Sequence, residues 1–372
     1  MNREKYKLHS PADSEFNFVK FSQCDSLAKL SERDLQELTA ELESYSLSMR
    51  KSLGLDNDII FGIEIEFEKA EFQKVREGIS ELRLPEYSRV LQGDITFLNV
   101  HGDWEVQIDD TMFWRLEDDS TVLSFIGDKK CGGEIVSPVL SDTESAWQEL
   151  SDICFMLQGL NAVAENSSGG HIHFGSQILE NNPRNWINML MLWTVYEKII
   201  FRFCYGDKLG PRKWLGAYAE PIADKLHRRL PELRNTEGIK PLLHNLPDKK
   251  TQALSFENVK LDDSVYLNTL EARFPNSSIN PIVWQNNINM LAKLFLYCGS
   301  ERFDEDFAQR KVSEYTRGKT LDSYSEIFLH EALEFCDLIF TNNLDKIYFL
   351  KQYLKSFGYP KEPSDNMKLV KL

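Results

Sequence analysis

The chain has 372 residues, of which 42% are hydrophobic and 12% are aromatic, so it is long and apolar enough to form a packed core. Lys and Arg number 43 against 58 Asp and Glu, which gives a formal net charge of −15. Because phosphate backbones are bound by clustered cations, this balance argues against sequence-independent nucleic-acid binding. The length fits two or three domain-sized units, or one catalytic domain of about 250 residues with helical extensions.

The beginning of the chain carries no apolar run, so no secretory signal is predicted and we expect a cytoplasmic protein. The longest apolar stretch, residues 186–205, contains Glu197, Lys198 and Arg202. These charges favour a buried helix over a membrane span. The six cysteines lack the CxxC spacing that is typical of zinc or redox sites, and we expect reduced, mostly buried thiols.

The N-terminal part is polar up to residue 54, and its one predicted helix begins after Ser31, which is followed by leucines at helical spacing. From residue 59 to about residue 140, short alternating segments bounded by turn signals predict hairpins in a mainly antiparallel sheet. The predicted strands are Ile63–Phe67, Ile95–Val100, Trp104–Ile108, Phe113–Leu116, Thr121–Phe125 and Glu134–Val136.

Helical periodicity becomes prominent after residue 142, and strands and helices then follow each other without a regular βαβ repeat. Asn182 and Asn280 are each followed by Pro, a combination that predicts a capped helix with Pro at its first position. This organisation favours an α+β fold. The predicted elements are helices at 142–160, 183–205 and 281–299, strands at 171–174 and 265–274, and two helices within 323–357.

Three of the predicted strands carry charged side chains on one face. Successive side chains of a strand point to opposite faces, so residues two apart share a face and lie about 6.6 Å apart. That spacing suits ligands of two neighbouring cations. The residues that share a face are Glu64, Glu66 and Glu68 in the first strand, His171 and His173 in the second, and Glu271 and Arg273 in the third.

Each of these patterns is also common in ordinary structure. Alternating acidic residues are typical of a solvated face, an HxH pair is often structural, and an ExR pair is often a surface ion pair. Their joint occurrence favours a site, because glutamates crowded on one partly dry face need cations to remain ionised.

Two further strands add carboxylates to this set. The glycine-led segment 131–138 carries Glu134, and the segment 114–120 ends in an acidic turn that contains Asp119. Carboxylate oxygens are preferred by hard cations, so this pattern predicts Mg²⁺. A zinc site dominated by histidine is disfavoured, because His171 or His173 supplies at most one nitrogen.

Six motifs, in this order, resemble the amidoligase family, which is related to glutamate–cysteine ligase and glutamine synthetase. The resemblance covers residues from about 59 to about 290, whereas residues 1–54 and those beyond about 300 lie outside it. The motifs are GIEIEF (62–67), W-x4-DS-x-V (114–122), GGEIVSP (132–138), GGHIHFG (169–175), R-x5-YA-x-P (212–221) and LEARF (270–274).

The resemblance implies a curved antiparallel sheet of the glutamine synthetase type, whose concave face holds ATP and divalent metals and whose convex face carries helices. It also implies a role for each residue that matches a motif position. The implied metal ligands are Glu64, Glu66, Glu134 and Glu271, with Asp119 as a further candidate. One of His171 and His173 binds metal or nucleotide phosphate, Arg273 contacts the transferring phosphoryl group, and Arg212 contacts phosphate or a substrate carboxylate.

The implied function is an ATP- and Mg²⁺-dependent carboxylate–amine ligase that acts through an acyl phosphate. Its substrates would be an amino acid, an amine or a peptide, with neither nucleic acid nor a membrane as partner. Two alternatives remain, a non-catalytic nucleotide-binding protein on the same fold and a metallohydrolase with a transition metal at His171 and His173. The predicted division is an extension at 1–54, a catalytic domain at 55–300 and a C-terminal helical segment at 301–372 packed on it.

Three positions depart from the family pattern. Ala272 occupies a position that is commonly aromatic, and Asp118-Asp119-Ser120 replaces the common DGS. The segment 255–261 lacks the expected basic residue at its start. None of these departures removes an implied metal ligand, so they affect the details that face the substrate.

Overall fold

The computed structural model describes most of the region between residues 26 and 355. The predicted strands at 95–100 and 104–108 lie outside the described residues, as does the beginning of the predicted strand at 265–274. The described residues are 8, 26–82, 91–92, 114–165, 167–208, 210–246, 251–259, 268–317, 320–321, 326–355 and 369.

An open sheet lies at the centre of the described part of the chain. Its strand order is β2-β3-β5-β1-β7-β9-β8, with β4 paired to β5 and β6 paired to β1. All of these pairs are antiparallel except β2 with β3. The strands are β1 (Ile60–Glu71), β2 (Leu91–Gln92), β3 (Arg115–Glu117), β4 (Ser124–Ile126), β5 (Lys129–Val136), β6 (Leu140–Ser141), β7 (Gly170–Gly175), β8 (Leu254–Ser255) and β9 (Thr269–Ala272).

Helices precede, interrupt and follow the strands, so the prediction of a mixed fold with a large antiparallel sheet is confirmed. The glutamine synthetase type of that sheet stays a prediction. The helices are α1 (Glu32–Ser44), α2 (Phe72–Glu81), α3 (Glu144–Gly159), α4 (Pro183–Cys204), α5 (Leu215–Tyr218), α6 (Ala223–Leu233), α7 (Ile239–His244), α8 (Pro281–Gly299), α9 (Glu305–Ser313), α10 (Leu329–Ile339) and α11 (Asn343–Tyr353).

One face of the sheet packs against helices and forms the core. Phe61 of β1 stacks on Trp147 of α3 with ring centroids 5.3 Å apart. Phe174 of β7 meets Phe295 of α8 edge to face at 5.4 Å. Alternation along β1 therefore directs its even-numbered residues to the opposite face. These include Glu64 and Glu66.

The predicted caps are confirmed. The side chain of Ser31 accepts a hydrogen bond from the amide of Asp34 at the start of α1. Asn182 and Asn280 cap α4 and α8 in the same way, and Pro is the first residue of each helix. A cap satisfies an amide that the helix itself leaves without a partner, and this local rule explains why the helix starts could be predicted.

Two sequence predictions differ from the structure. The segment expected as a strand at 121–125 begins in a turn, and the strand starts only at Ser124. Asp119 causes this difference, because its carboxylate accepts hydrogen bonds from the amide and hydroxyl of Thr121 and its carbonyl accepts from Val122 and Leu123. Helix α2 also interrupts the stretch in which only strands were expected.

The N- and C-terminal segments contact each other. Arg50 donates to Asp345 at the start of α11 over 2.6 Å, and both side chains are almost fully buried. Lys351 of α11 donates to the carbonyl of Leu42 in α1 over 2.8 Å. Helix α11 also packs on α4 and α8. The division at residues 54 and 300 stays a prediction.

The described cysteines are unpaired and buried, as expected. They are Cys131, Cys154, Cys204, Cys298 and Cys336. Among the helices that the structure describes, none combines the length and the apolar character that a membrane span requires.

Helix α4 contains a carboxylate that caps another helix. Glu197 is 1% exposed and accepts hydrogen bonds from the amides of Ile222 (2.7 Å) and Ala223 (3.1 Å) at the start of α6. It also accepts from the Trp193 indole (2.9 Å) and the Thr320 hydroxyl (2.9 Å). Burial raises the pKa of Glu197 to about 6, although these hydrogen bonds oppose the rise.

Replacement of Glu197 by glutamine is expected to lower the free energy of unfolding by about 2–4 kcal/mol, because the amide group would turn its own N–H bonds toward donors. Urea unfolding would measure the loss. The control is Glu331→Gln, which removes a half-exposed ion pair with Lys198 and should cost at most about 1 kcal/mol. Equal losses in the two variants would contradict the capping role.

Candidate active site

The register of the sheet brings the predicted histidines beside two of the predicted glutamates. Glu64 of β1 lies opposite His171 of β7, and His173 lies opposite Glu271 of β9. The carboxylate of Glu64 contacts Nδ1 of His171 and lies 3.0 Å from Nε2 of His173. Glu271 Oε1 lies 3.8 Å from the first nitrogen and 4.0 Å from the second, and it pairs with Arg273.

The two imidazoles determine the ionisation of Glu64. Burial of this carboxylate opposes its charge, but the neighbouring His171 and His173 hold the pKa of Glu64 well below its usual range. The reverse effect acts on His173, whose pKa is raised by Glu64 even though burial opposes the rise. The centre of the face therefore carries an ionised carboxylate between two imidazoles.

A second group of carboxylates lies next to the first. Glu66 of β1 is opposite Glu134 of β5, which is in turn opposite Glu117 of β3. Asp119 follows β3, and its carboxylate comes close to those of Glu66 and Glu134. Burial raises the pKa of Glu66. Burial and the adjacent carboxylates raise the pKa of Glu134 to about 10.

These side chains form overlapping sets of possible metal ligands. Within each set, one ligand atom of every residue lies within 4.8 Å of the others. Glu64 and Glu134 each belong to two sets, so the sets form one continuous run across the face. The sets are Glu64, His173 and Glu271; Glu64, Glu134 and His171; and Glu66, Asp119 and Glu134.

The composition of these sets fits hard divalent cations. Each set in the described part of the chain contains at most one histidine, and every other ligand is a carboxylate. Crowding of carboxylates is costly unless cations or protons neutralise them, and the adjacent carboxylates add to the effect of burial in raising the pKa of Glu134. The donor set is therefore suited to cations that prefer oxygen.

Arg212 lies beside the second group although it is far from it in sequence. Its side chain is 6% exposed, and Nη2 donates to the carbonyl of Arg273 over 2.8 Å. The guanidinium covers Gly169, where an added Cβ would overlap with it. The amide of Gly169 donates to Glu66. Burial lowers the pKa of Arg212, and Glu66 opposes this effect.

All the residues predicted for the site thus meet on one face of the sheet. The role of Gly169 was not predicted from the sequence. It becomes clear only in the fold, where the Arg212 guanidinium occupies the space that a side chain at residue 169 would need. The adjacent glycines at 169–170 could have indicated this contact, because glycine lets another group approach the main chain closely. Sequence reasoning also missed Ser167 and Ser168, whose hydroxyls each donate to Glu68 over 2.7 Å.

A cavity of about 200 Å³ continues the same face beyond Glu64. Gly62 lies in its lining, and an added Cβ there would make only ordinary contacts with Ser137 and His173. The cavity is suited to an apolar part of a ligand whose charged part lies on the carboxylates. It is lined in part by Gly62, Glu64, Arg115, Val136, Pro138 and His173.

Comparison with known proteins identifies the family of the chain. A search of curated proteins gave no match. Residues 57–295, well over half of the chain, match the sequence profile of the family described as "putative amidoligase enzyme". The matched range contains both carboxylate groups, both histidines and both arginines of the site. The chain therefore belongs to this amidoligase family.

Proposed function

We propose that the protein is an ATP- and Mg²⁺-dependent ligase that joins a carboxylate to an amine through an acyl phosphate. The observation that carries the proposal is the continuous run of carboxylates on one sheet face, flanked by Arg273 and Arg212. Membership of the amidoligase family supports ligase chemistry. The acid would be that of an amino acid or peptide, and the amine would be free or part of a peptide.

The chemistry explains why such a site needs many charges. Formation of an amide from a carboxylate and an amine is unfavourable in water, so the carboxylate oxygen first attacks the γ-phosphorus of ATP and ADP leaves. The amine then attacks the acyl carbon, inorganic phosphate leaves, and the amine loses a proton. ATP and the carboxylate are both anions, so positive charge must surround them as they approach.

The residues of the site have distinct roles in this proposal. Glu64, Glu271 and one of the two histidines would hold one cation. Glu66, Glu134 and Asp119 would hold a second. When bound, Mg²⁺ supplies positive charge to the phosphate oxygens.

The two arginines act from the protein itself. Arg273 is 15% exposed at its side chain, and its Nε is buried without a hydrogen-bond partner in the described part of the chain. This free donor supports a contact with the transferring phosphoryl group. Arg212, at the other group of carboxylates, would bind a phosphate or the substrate carboxylate.

The metallohydrolase alternative is less well supported. Both His171 and His173 contact Glu64, and none of the ligand sets in the described residues contains both histidines. A site dominated by imidazole would favour zinc, whereas these sets favour oxygen-seeking cations. Stoichiometric zinc in the purified protein would contradict the proposal and favour hydrolysis.

A screen for ADP release tests the function directly. Amino acids, amines and peptides are combined with Mg²⁺ and ATP, and products are analysed by mass. We expect ADP release that requires both an acid and an amine, together with a product that has lost one water. Glu271→Gln is the inactive control. Binding of Mg²⁺·ATP without ADP release for any pair would instead favour the non-catalytic alternative.

Cation binding is expected to release a proton near neutral pH. Because the pKa of Glu134 is about 10, this carboxyl is protonated at pH 7 and must ionise to bind a cation. The affinity for Mg²⁺ should therefore increase by about tenfold per pH unit between about pH 7 and pH 9. Calorimetry in two buffers with different ionisation enthalpies counts the protons released. We expect about one; a pH-independent affinity would contradict the role of Glu134.

A further inference from the structure

The segment that follows β9 connects several elements of the site. The carbonyl of Pro275 accepts from the amide of Gly170 at the start of β7 over 3.0 Å. The amide of Ser277 donates to the carbonyl of Ser168 over 3.1 Å, and its hydroxyl donates to the carbonyl of Glu66 over 2.6 Å. Residues 275–277 are thus hydrogen-bonded both to β1 and to the chain at the start of β7.

Asn276, in the middle of this segment, binds the chain that leads to Arg212. Its side chain is 3% exposed, and its Oδ1 accepts from the amide of Arg212 over 3.0 Å. Its Nδ2 donates to the carbonyl of Gly210 over 2.7 Å and lies 3.4 Å from that of Tyr205. Its own amide donates to the carbonyl of Cys204 at the end of α4 over 3.1 Å. The buried Asn276 side chain therefore binds the main chain between α4 and α5 at Arg212 itself and also before it.

The connection between α4 and α5 has no strand partner that would fix its position among the described residues of 205–214. Arg212 nevertheless places a buried guanidinium between Gly169 and the carbonyl of Arg273. The contact of the guanidinium with the Arg273 carbonyl fixes the end of the Arg212 side chain. The hydrogen bonds of Asn276 fix the main chain from which that side chain extends. Small displacements matter at such a site, because a shift of about 1 Å in a binding group can reduce a rate by about 100-fold.

We propose that Asn276 is a positioning residue that aligns Arg212 with the anionic ligand of the site. The inference rests on the proposed function, and it takes a phosphate of Mg²⁺·ATP as the anion that Arg212 binds. Asn276 itself touches neither the ligand nor the carboxylates in this role. Its effect passes through Arg212, and this dependence can be measured.

A double-mutant cycle tests the dependence. The dissociation constant of Mg²⁺·ATP is measured by calorimetry for the wild type, Asn276→Ala, Arg212→Ala and the double variant. We expect Arg212→Ala to weaken binding by about 10-fold to 100-fold, as the loss of a charge-assisted hydrogen bond does. Asn276→Ala should weaken binding by about tenfold when Arg212 is present. The same substitution should have no further effect in the Arg212→Ala background.

A matched control separates positioning from stability. Asn188 on α4 is also 3% exposed and donates to the carbonyl of Cys298 over 2.8 Å. Asn188→Ala should also lower the melting temperature, by less than Asn276→Ala because it removes fewer side-chain hydrogen bonds, but it should leave the affinity for Mg²⁺·ATP unchanged. If Asn276→Ala does not fold, Asn276→Ser replaces it in the cycle, because a serine hydroxyl is too short to bind Arg212 and Gly210 together.

Each result has a defined meaning. Unchanged affinity in Asn276→Ala, or an equal loss with and without Arg212, overturns the positioning role and leaves the proposed function intact. Unchanged affinity in Arg212→Ala overturns the positioning role together with the anion contact that it serves. If the wild type fails to bind Mg²⁺·ATP, the proposed function itself is wrong and the inference fails with it.

Discussion

Replacement of Glu64 by glutamine is expected to abolish the increase in melting temperature that Mg²⁺·ATP produces beyond that of ATP alone. Glu64 belongs to two of the three described ligand sets and contacts both histidines, so its loss removes a carboxylate from the first cation position and the shared partner of both imidazoles. A neutral amide also offers Mg²⁺ one weaker oxygen in place of a charged pair. Ligands that bind only the folded state raise its melting temperature, so thermal unfolding with and without Mg²⁺ measures the loss.

Glu68 provides the matched control for this variant. It lies on the same strand and the same face as Glu64, but it accepts hydrogen bonds from Ser167 and Ser168 and belongs to none of the described ligand sets. Glu68→Gln should therefore keep the Mg²⁺-dependent increase. An undiminished increase in Glu64→Gln would show that the cation assignment is wrong, whatever the function of the protein.

A methyl group at residue 169 is expected to be as harmful as the loss of Arg212. The Cβ of Gly169→Ala would overlap with the guanidinium and come within 2.9 Å of the Glu66 carboxylate. Because the long Arg212 side chain can move, the protein should still fold. The Arg212 guanidinium, however, should no longer lie at the anion site. We expect the affinity for Mg²⁺·ATP to fall by about 10-fold to 100-fold, as in Arg212→Ala.

Gly159 serves as the control for this substitution. It is the last residue of α3, and a Cβ added there would meet no atom of the described residues within 4 Å. Gly159→Ala should therefore leave the affinity unchanged. If Gly169→Ala binds Mg²⁺·ATP as tightly as the wild type, either the guanidinium does not occupy this position or it does not contact the nucleotide, and the crystal structure of the variant would decide which.

The sequence predicted which residues form the site better than it predicted which of them lie next to each other. Alternation is a property of one strand, so the common face of Glu64 and Glu66 could be recognised from the sequence. The pairing of Glu66 with Glu134 depends on strand register across many residues of intervening chain. The local pattern made Glu134 a candidate for the same acidic site, but it could not predict that Glu134 lies opposite Glu66.

Long-range packing also explains what was not predicted. Helix α2 has only two fully buried side chains, Val75 and Ile79, which is too short a pattern to stand out beside strands. Asn276 and Glu197 belong to none of the six sequence motifs, and their roles arise from main-chain groups that the fold brings to them. No periodicity or spacing marks such residues, because their partners lie on other elements.

The net charge of −15 makes the central claim open to a simple test. A face that carries several carboxylates should repel ATP, a polyanion, unless divalent cations accompany it. Calorimetry of the wild type with ATP, first in excess Mg²⁺ and then in excess EDTA, measures this directly. We predict binding in Mg²⁺ and none in EDTA, whereas equally tight binding in both, or no binding in either, would contradict the proposed site.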